Sequence, residues 1–135
     1  MKFDLKDYKL ILASNSARRI DFFKQMHIPF KIKKLKVDES YPKKLKGIEI
    51  VKYILKNKAK AVKNQLKRNQ IIIVADTIVL CDGKPLGKPK DKESAFKMIQ
   101  SLSGKTHSVV TAVGFLFKKK FHRIISSTRV TFKVL

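Results

Sequence analysis

The stretch "IIIVADTIVL", residues 71–80, decides how this chain is read. Five apolar residues in succession, Ile71 to Ala75, give a strand buried on both faces, the kind found where a sheet is covered by helices. In open α/β sheets ligands gather outside the strand ends, and Asp76 stands where this run closes. A carboxylate in that position must be ion-paired, hydrogen-bonded or bound to metal. Thr77 to Leu80 continues as a second extended stretch, ahead of an Asp82-Gly83 pair that suits the positive φ of a tight hairpin.

Upstream of this stretch, Lys9 to Ala13 reads as a short buried strand. The spacing of Ile20, Phe23 and Met26 or His27 predicts a helix from Ala17 to His27, ended by Pro29. Residues 30–37, "FKIKKLKV", alternate as a strand with an irregularity near Lys33-Lys34, and "DESYP" is a loop by composition. The longest helix follows, from about Ile48 to Arg68, with a stripe of Val51, Ile54, Leu55, Ala59, Val62 and Leu66. Downstream, Asp91 caps a helix over residues 92–103 whose Ala95, Met98, Ile99 and Leu102 recur at helical spacing. Two last extended runs, 108–118 and 121–134, form a long hairpin. Helices and strands interleave without repeats or linkers, which predicts one α/β domain over residues 1–135.

Composition narrows the setting. At 135 residues and 44% hydrophobic, the chain has enough apolar material for a core. Its formal net charge of +22 attracts polyanions, but the lysines are spread along the length and read as a solvated surface rather than a dedicated nucleic-acid patch. Cys81 is the only cysteine, so no intrachain disulfide and no thiolate metal cage can form, and a reducing, cytoplasmic compartment fits. The amino terminus lacks a signal-peptide core, and no apolar run approaches the ~20 residues of a membrane span.

Three groups of residues could carry chemistry. Ser14, Ser16, Arg18 and Arg19 lie at a strand-to-helix turn. There free N–H groups, hydroxyls and guanidinium forks together suit a phosphate, and arginines in a first helical turn oppose the macrodipole unless an anion binds. Asp76 is the second, with Glu39 and its neighbour Asp38 as the nearest upstream carboxylates. Lysines form the third. Lys58 interrupts the apolar stripe between Ile54 and Val62, so it either snorkels to the surface or points into a cleft. Lys88, between Gly87 and Pro89, has a constrained backbone but could equally be a solvated turn residue.

Taken in order, "LILASNSARR", "VDES", "NKAKAV", "ADTIVLCDGKPLGKP" and "SLSGKTHSVVTAV" resemble the motifs of the Maf family of nucleoside triphosphate pyrophosphatases over nearly the whole chain. The resemblance implies a twisted mixed β-sheet flanked by helices, with an active cleft between two lobes. It implies hydrolysis of a nucleoside triphosphate substrate to monophosphate and pyrophosphate with a divalent cation, Mg²⁺ or Mn²⁺. Glu39 and Asp76 would be the metal ligands, with Asp76 also matching the family's proposed general base. Glu39, Asp76, Lys58 and Lys88 would form the catalytic set, and Ser14, Ser16, Arg18 and Arg19 would hold the triphosphate. "ADT" resembles the branch acting on dTTP and UTP, which makes Thr77 a candidate for reading the base with help from Arg18. A homodimer is implied, and neither a specific nucleic acid nor a membrane is expected as a partner.

The chain departs from the family pattern at Ala17, where Pro is usual, and at Asn57, where Glu is usual. It also stops before the family's glycine-rich carboxyl-terminal segment. The expectation is therefore a second lobe left incomplete, with reduced activity. The rivals are a nucleotide- or nucleic-acid-binding protein without catalysis and a degenerate remnant of the family.

Overall fold

The computed structural model describes residues 7–135. The residues 1–6 of the amino terminus, read above as part of a segment without a signal-peptide core, lie outside the described residues. The chain order is β1 (Lys9–Ala13), α1 (Ala17–Gln25), β2 (Lys31–Lys33), α2 (Ile48–Lys63), β3 (Gln70–Cys81), β4 (Lys84–Leu86), α3 (Lys92–Leu102), β5 (Thr106–Phe117) and β6 (Lys120–Thr131). The strands make one mixed sheet in the order β2-β1-β3-β5-β6, with β4 also paired to β3. β1 is parallel to β2 and β3, whereas β4 and β5 run antiparallel to β3 and β6 antiparallel to β5.

This order has a reversal point. From β1 the chain steps outward through α1 to β2, then passes through α2 back over β1 to β3. Crossovers of one hand that step in opposite directions put their helices on opposite faces. The core shows this division. Val51, Leu55, Ala59 and Val62 of α2 pack with Ile72 and Val74 of β3 and with Val110, Ala112 and Leu116 of β5. On the other face Ile20 and Phe23 of α1 pack against Leu10, Leu12, Ile71 and Ile73. Alternation along β3 therefore puts Asp76 on the side of α2 and Thr77 on the side of α1. The run Ile71 to Asp76 is buried throughout, as expected of a strand covered twice.

β3 is one strand of twelve residues, not a central strand followed by a separate extended stretch. β1 pairs with Gln70 to Ile73, β4 with Val79 to Cys81, and β5 with Ile72 to Leu80 along the other edge. Between β1 and β4, the edge of β3 from Val74 to Ile78 carries no strand among the described residues. The carboxyl half of β3, with β4 and the amino half of β5, runs past the end of β1. Asp82 and Gly83, at φ of 52° and 75°, close the β3–β4 hairpin as their sequence predicts. In the middle of the sheet Gly114 admits the Phe121 ring, since a Cβ there would lie 2.4 Å from it.

Several boundaries and one packed face differ from the sequence expectation. α1 stops at Gln25 because His27 takes φ 56°, a left-handed turn that redirects the chain before Pro29. β2 is only Lys31–Lys33, since the backbone of Leu35 is engaged by the side chain of Asn15 rather than by a strand. α2 ends at Lys63, and Leu66 keeps its contact with the core from a turn. α3 has the expected cap, with Asp91 accepting from Ser94 N at 2.7 Å, but buries only Leu102 of its stripe. No helix among the described residues is long and apolar enough to cross a membrane.

Candidate functional site

The unpaired stretch of the β3 edge leaves the carbonyl of Ala75 without a strand partner, and two side chains supply the missing donors. Lys58 Nζ, from α2, donates to it at 3.0 Å, and Arg19 Nη1, from α1, donates at 3.2 Å. Two helices on opposite faces thus meet at one carbonyl at the reversal point of the sheet. Ligands of open α/β sheets bind in such crevices.

Each cation then reaches further. Lys58 Nζ lies 3.3 Å from Asp76 Oδ1 and 3.1 Å from Glu39 Oε1, so one ammonium spans both carboxylates. Lys58 is 9% exposed: it does not snorkel out of the apolar stripe. On the other side Arg19 Nη2 donates to Thr77 Oγ1 at 3.0 Å, which is 3.1 Å from Thr111 Oγ1. The strand-to-helix turn is held by its own hydroxyls. Ser14 Oγ accepts from Ser16 N at 3.1 Å, and Ser16, the α1 cap, accepts from Arg19 N at 3.3 Å. Asn15 fastens this turn to the acidic loop, accepting from Leu35 N at 3.0 Å and donating to Leu35 O at 2.5 Å.

A cleft of about 840 Å³ opens over this arrangement, and Ser14, Ser16, Arg19, Glu39, Lys58 and Lys88 are among its walls. Asp76 sits behind Lys58, and Thr77 is reached through Arg19. Arg18 is exposed, does not line the cleft and makes no hydrogen bond or ion pair among the described residues. The contribution of Asn15 was not read from the sequence, nor was that of Thr111. Asn15 stands between the two serines already singled out, and its pairing to a backbone twenty residues away has no local signal.

The electrostatics follow from burial. Removal from water raises the Asp76 carboxyl above the ordinary carboxylate range, although Lys58 and, less strongly, Arg19 pull it back, and Glu39 adds to the rise. Burial also lowers Arg19 from the ordinary guanidinium value, against the pull of Asp76 and Glu39, with Arg18 adding a small push in the same direction as burial. Asp38 is lowered by hydrogen bonds from Ser40. Asp76 Oδ2 is buried and has no hydrogen-bond partner among the described residues. Such an atom is costly unless something meets it, and a hard cation or a water is the natural partner of a carboxylate oxygen. Among the described residues no three His, Cys, Asp or Glu side chains cluster, so Glu39 and Asp76 are the donors on offer. Two carboxylates fit Mg²⁺ or Mn²⁺, which complete their octahedra with water and phosphate oxygens.

A family model described as Maf-like protein matches residues 9–135. A Flavobacterium johnsoniae protein named dTTP/UTP pyrophosphatase is 46% identical over 135 residues, covering 100% of this chain and 70% of that relative. One of the same name from Christiangramia forsetii is 47% identical over 132 residues, covering 97% of this chain and 67% of the relative. The fold is similar to that of the Staphylococcus aureus Ham1 protein, with a TM-score of 0.62 at 15% identity over 90% of this chain and 70% of that one. The motifs that line the cleft fall within the matched residues, and on this match the chain belongs to the Maf-like family.

Proposed function

We propose that this chain is a hydrolase that cleaves pyrimidine nucleoside triphosphates such as dTTP and UTP between the α- and β-phosphates, releasing the monophosphate and pyrophosphate in the cytoplasm. The observation that carries the reading is the meeting of Arg19 and Lys58 on the Ala75 carbonyl, with Asp76 and Glu39 on the same ammonium. The names of the relatives supply the substrate.

The chain's own residues divide the work. Arg19, desolvated and fixed by two hydrogen bonds, presents its remaining donors to phosphate oxygens, together with the hydroxyl hydrogens of Ser14 and Ser16. Lys58 and Lys88 counter charge that builds on the phosphates as the bond breaks, a displacement that depends on positioning and neutralisation more than on covalent chemistry. Arg18, beside the turn, approaches the substrate from solvent. Asp76, with its raised pKa and one free oxygen, takes the proton of the attacking water. Thr77, oriented by Arg19 and Thr111, faces the base. A divalent cation would be held by Glu39 and Asp76, and when bound it supplies charge neutralisation of the phosphates and a polarised water.

The test is incubation with dTTP, UTP and GTP in Mg²⁺ or Mn²⁺, with pyrophosphate and monophosphate measured together. Asp76→Asn should retain the fold and lower turnover by ~10²–10³, the usual effect of removing one electrostatic group from such a site. Chelation with EDTA should stop the reaction. Release of inorganic phosphate in place of pyrophosphate, or full turnover in Asp76→Asn, would overturn the assignment.

A further inference from the structure

A second cleft lies at the other end of the sheet, where β1 and β3 begin. It measures about 510 Å³, room for one nucleotide unit. Its cations come from two turns: Lys67 and Arg68 from the α2–β3 connection, and Lys118 and Lys119 from the β5–β6 hairpin. All four are exposed, and none forms an ion pair or a side-chain hydrogen bond among the described residues. Tyr8 and Phe117 give the cleft an aromatic wall, meeting edge to face at 5.0 Å, and the Lys118 ammonium lies 5.2 Å from the Phe117 ring centre.

Both turns are fixed. Gln70 closes the first, its side chain accepting from Lys67 N at 3.0 Å and its N–H donating to Lys67 O at 3.2 Å. Lys118 and Lys119 close the second with φ of 49° and 61°, a conformation that favours Asn and Gly. Turn geometry therefore works against lysine at both positions. The charge is placed there in spite of the backbone.

The cleft continues into a ridge. Lys56, Lys60 and Lys63 are exposed at spacings of four and three along α2, one face of a helix that leads to Lys67. The macrodipole accounts for lysines in the last turn of α2, but it gives nothing to Lys67, Arg68, Lys118 or Lys119, which lie beyond the helix. From Lys56 to Lys63 alone the ridge runs roughly 10 Å, more than one phosphate spans. Positive charge in a line, ending in a concave aromatic-walled cleft, suits a flexible polyanion with bases better than a flat lipid surface.

We propose that this cleft and the α2 lysine ridge bind single-stranded nucleic acid through its backbone, independently of sequence, at the end of the sheet opposite the catalytic cleft. The site is separate from the nucleotide-hydrolysing reading and stands without it.

Fluorescence anisotropy of labelled dT12 tests this in the full chain. The variant carries Lys67→Gln, Arg68→Gln, Lys118→Asn and Lys119→Gly; the last two suit the turn better than lysine does, so misfolding does not explain a loss. A control removes Lys43, Lys44, Lys90 and Lys92, four exposed lysines elsewhere, by substitution with Gln. The cleft variant should bind more than about tenfold more weakly, and the slope of log affinity against log salt should fall by about 3, as four lost phosphate contacts require. The control should change binding less than about twofold. Equal losses in both variants would mean diffuse charge attraction and overturn the site. So would absence of dT12 binding at low salt, displacement of dT12 by sodium pyrophosphate at equal phosphate, or phosphatidylserine-vesicle binding that the cleft variant loses while its dT12 affinity is unchanged.

Discussion

α2 and α3 have the same kind of apolar stripe, and the fold treats them differently. α2 buries Ile50, Val51, Ile54, Leu55, Lys58, Ala59 and Val62, whereas α3 buries Leu102 alone and leaves Phe96 67% and Ile99 50% exposed. The difference lies in what each helix faces. α2 is the crossover that carries the chain back over β1, so topology lays it across β3 and β5. α3 joins β4 to β5 at the far end of long strands and meets no such layer among the described residues. Helical spacing shows which side of a helix seeks cover, while the path of the chain decides whether cover is there.

The comparison breaks first under core truncation. Leu55→Ala removes a fully buried side chain from the α2 face and should cost about 2–5 kcal/mol. Ile99→Ala, at a matching stripe position of α3, should stay within about 0.5 kcal/mol. Urea unfolding of the two variants measures both. A comparable loss at Ile99 would show that α3 is held by packing after all.

Lys58 sharpens the contrast, because it is the one charge α2 buries. Replacing it with Met leaves Asp76 and Glu39 without their shared cation and takes one of two donors from the Ala75 carbonyl, a loss of about 1–3 kcal/mol at neutral pH. In metal-free protein this should be pH-dependent. The folded-state pKa of Asp76 lies above its unfolded value, so its contribution to stability is fully present below the unfolded pKa and is lost as pH rises through the folded one. Removing Lys58 removes the attraction that opposes the rise, and the destabilisation should therefore shrink on acidification. Thermal melts in EDTA from neutral to acid pH read the effect; a constant difference would mean that Asp76 does not feel Lys58.

What the sequence made legible follows the same division. β1 has the limits its apolar run gives, Ile71 to Ala75 is buried on both faces, and Lys58 could be picked out because it broke a stripe. Those signals are local and repeated. The continuity of β3 through Asp76 and Thr77 was not legible, because polar residues in mid-strand are accommodated here by partners far along the chain: Lys58, Arg19 and Thr111. The shortness of β2 had the same origin, a clamp from Asn15 to Leu35. The Ala75 carbonyl, on which the site converges, has no sequence signal of its own, since only the gap between β1 and β4 leaves it free for side chains.

The smallest effect is expected at Asp91. A helix of eleven residues that fully buries only one side chain is marginal in water, so α3 must draw much of its stability from its ends. Asp91 Oδ1 accepts from Ser94 N while Ser94 Oγ accepts in return from Asp91 N at 3.1 Å, a reciprocal cap that satisfies two otherwise open donors. Asp91→Ala removes half of that exchange, with a cost of about 1 kcal/mol to the helix. In α2, buried against the sheet, a loss of that size would be spread over the whole fold and lower its melting temperature. In α3 it should instead appear as local opening. Amide hydrogens of residues 95–102 should exchange several-fold faster while those of β3 and α2 keep their protection and the global melt stays in place. If the melt falls and exchange quickens throughout the chain, α3 unfolds together with the sheet and the two helices are more alike in energy than their burial indicates.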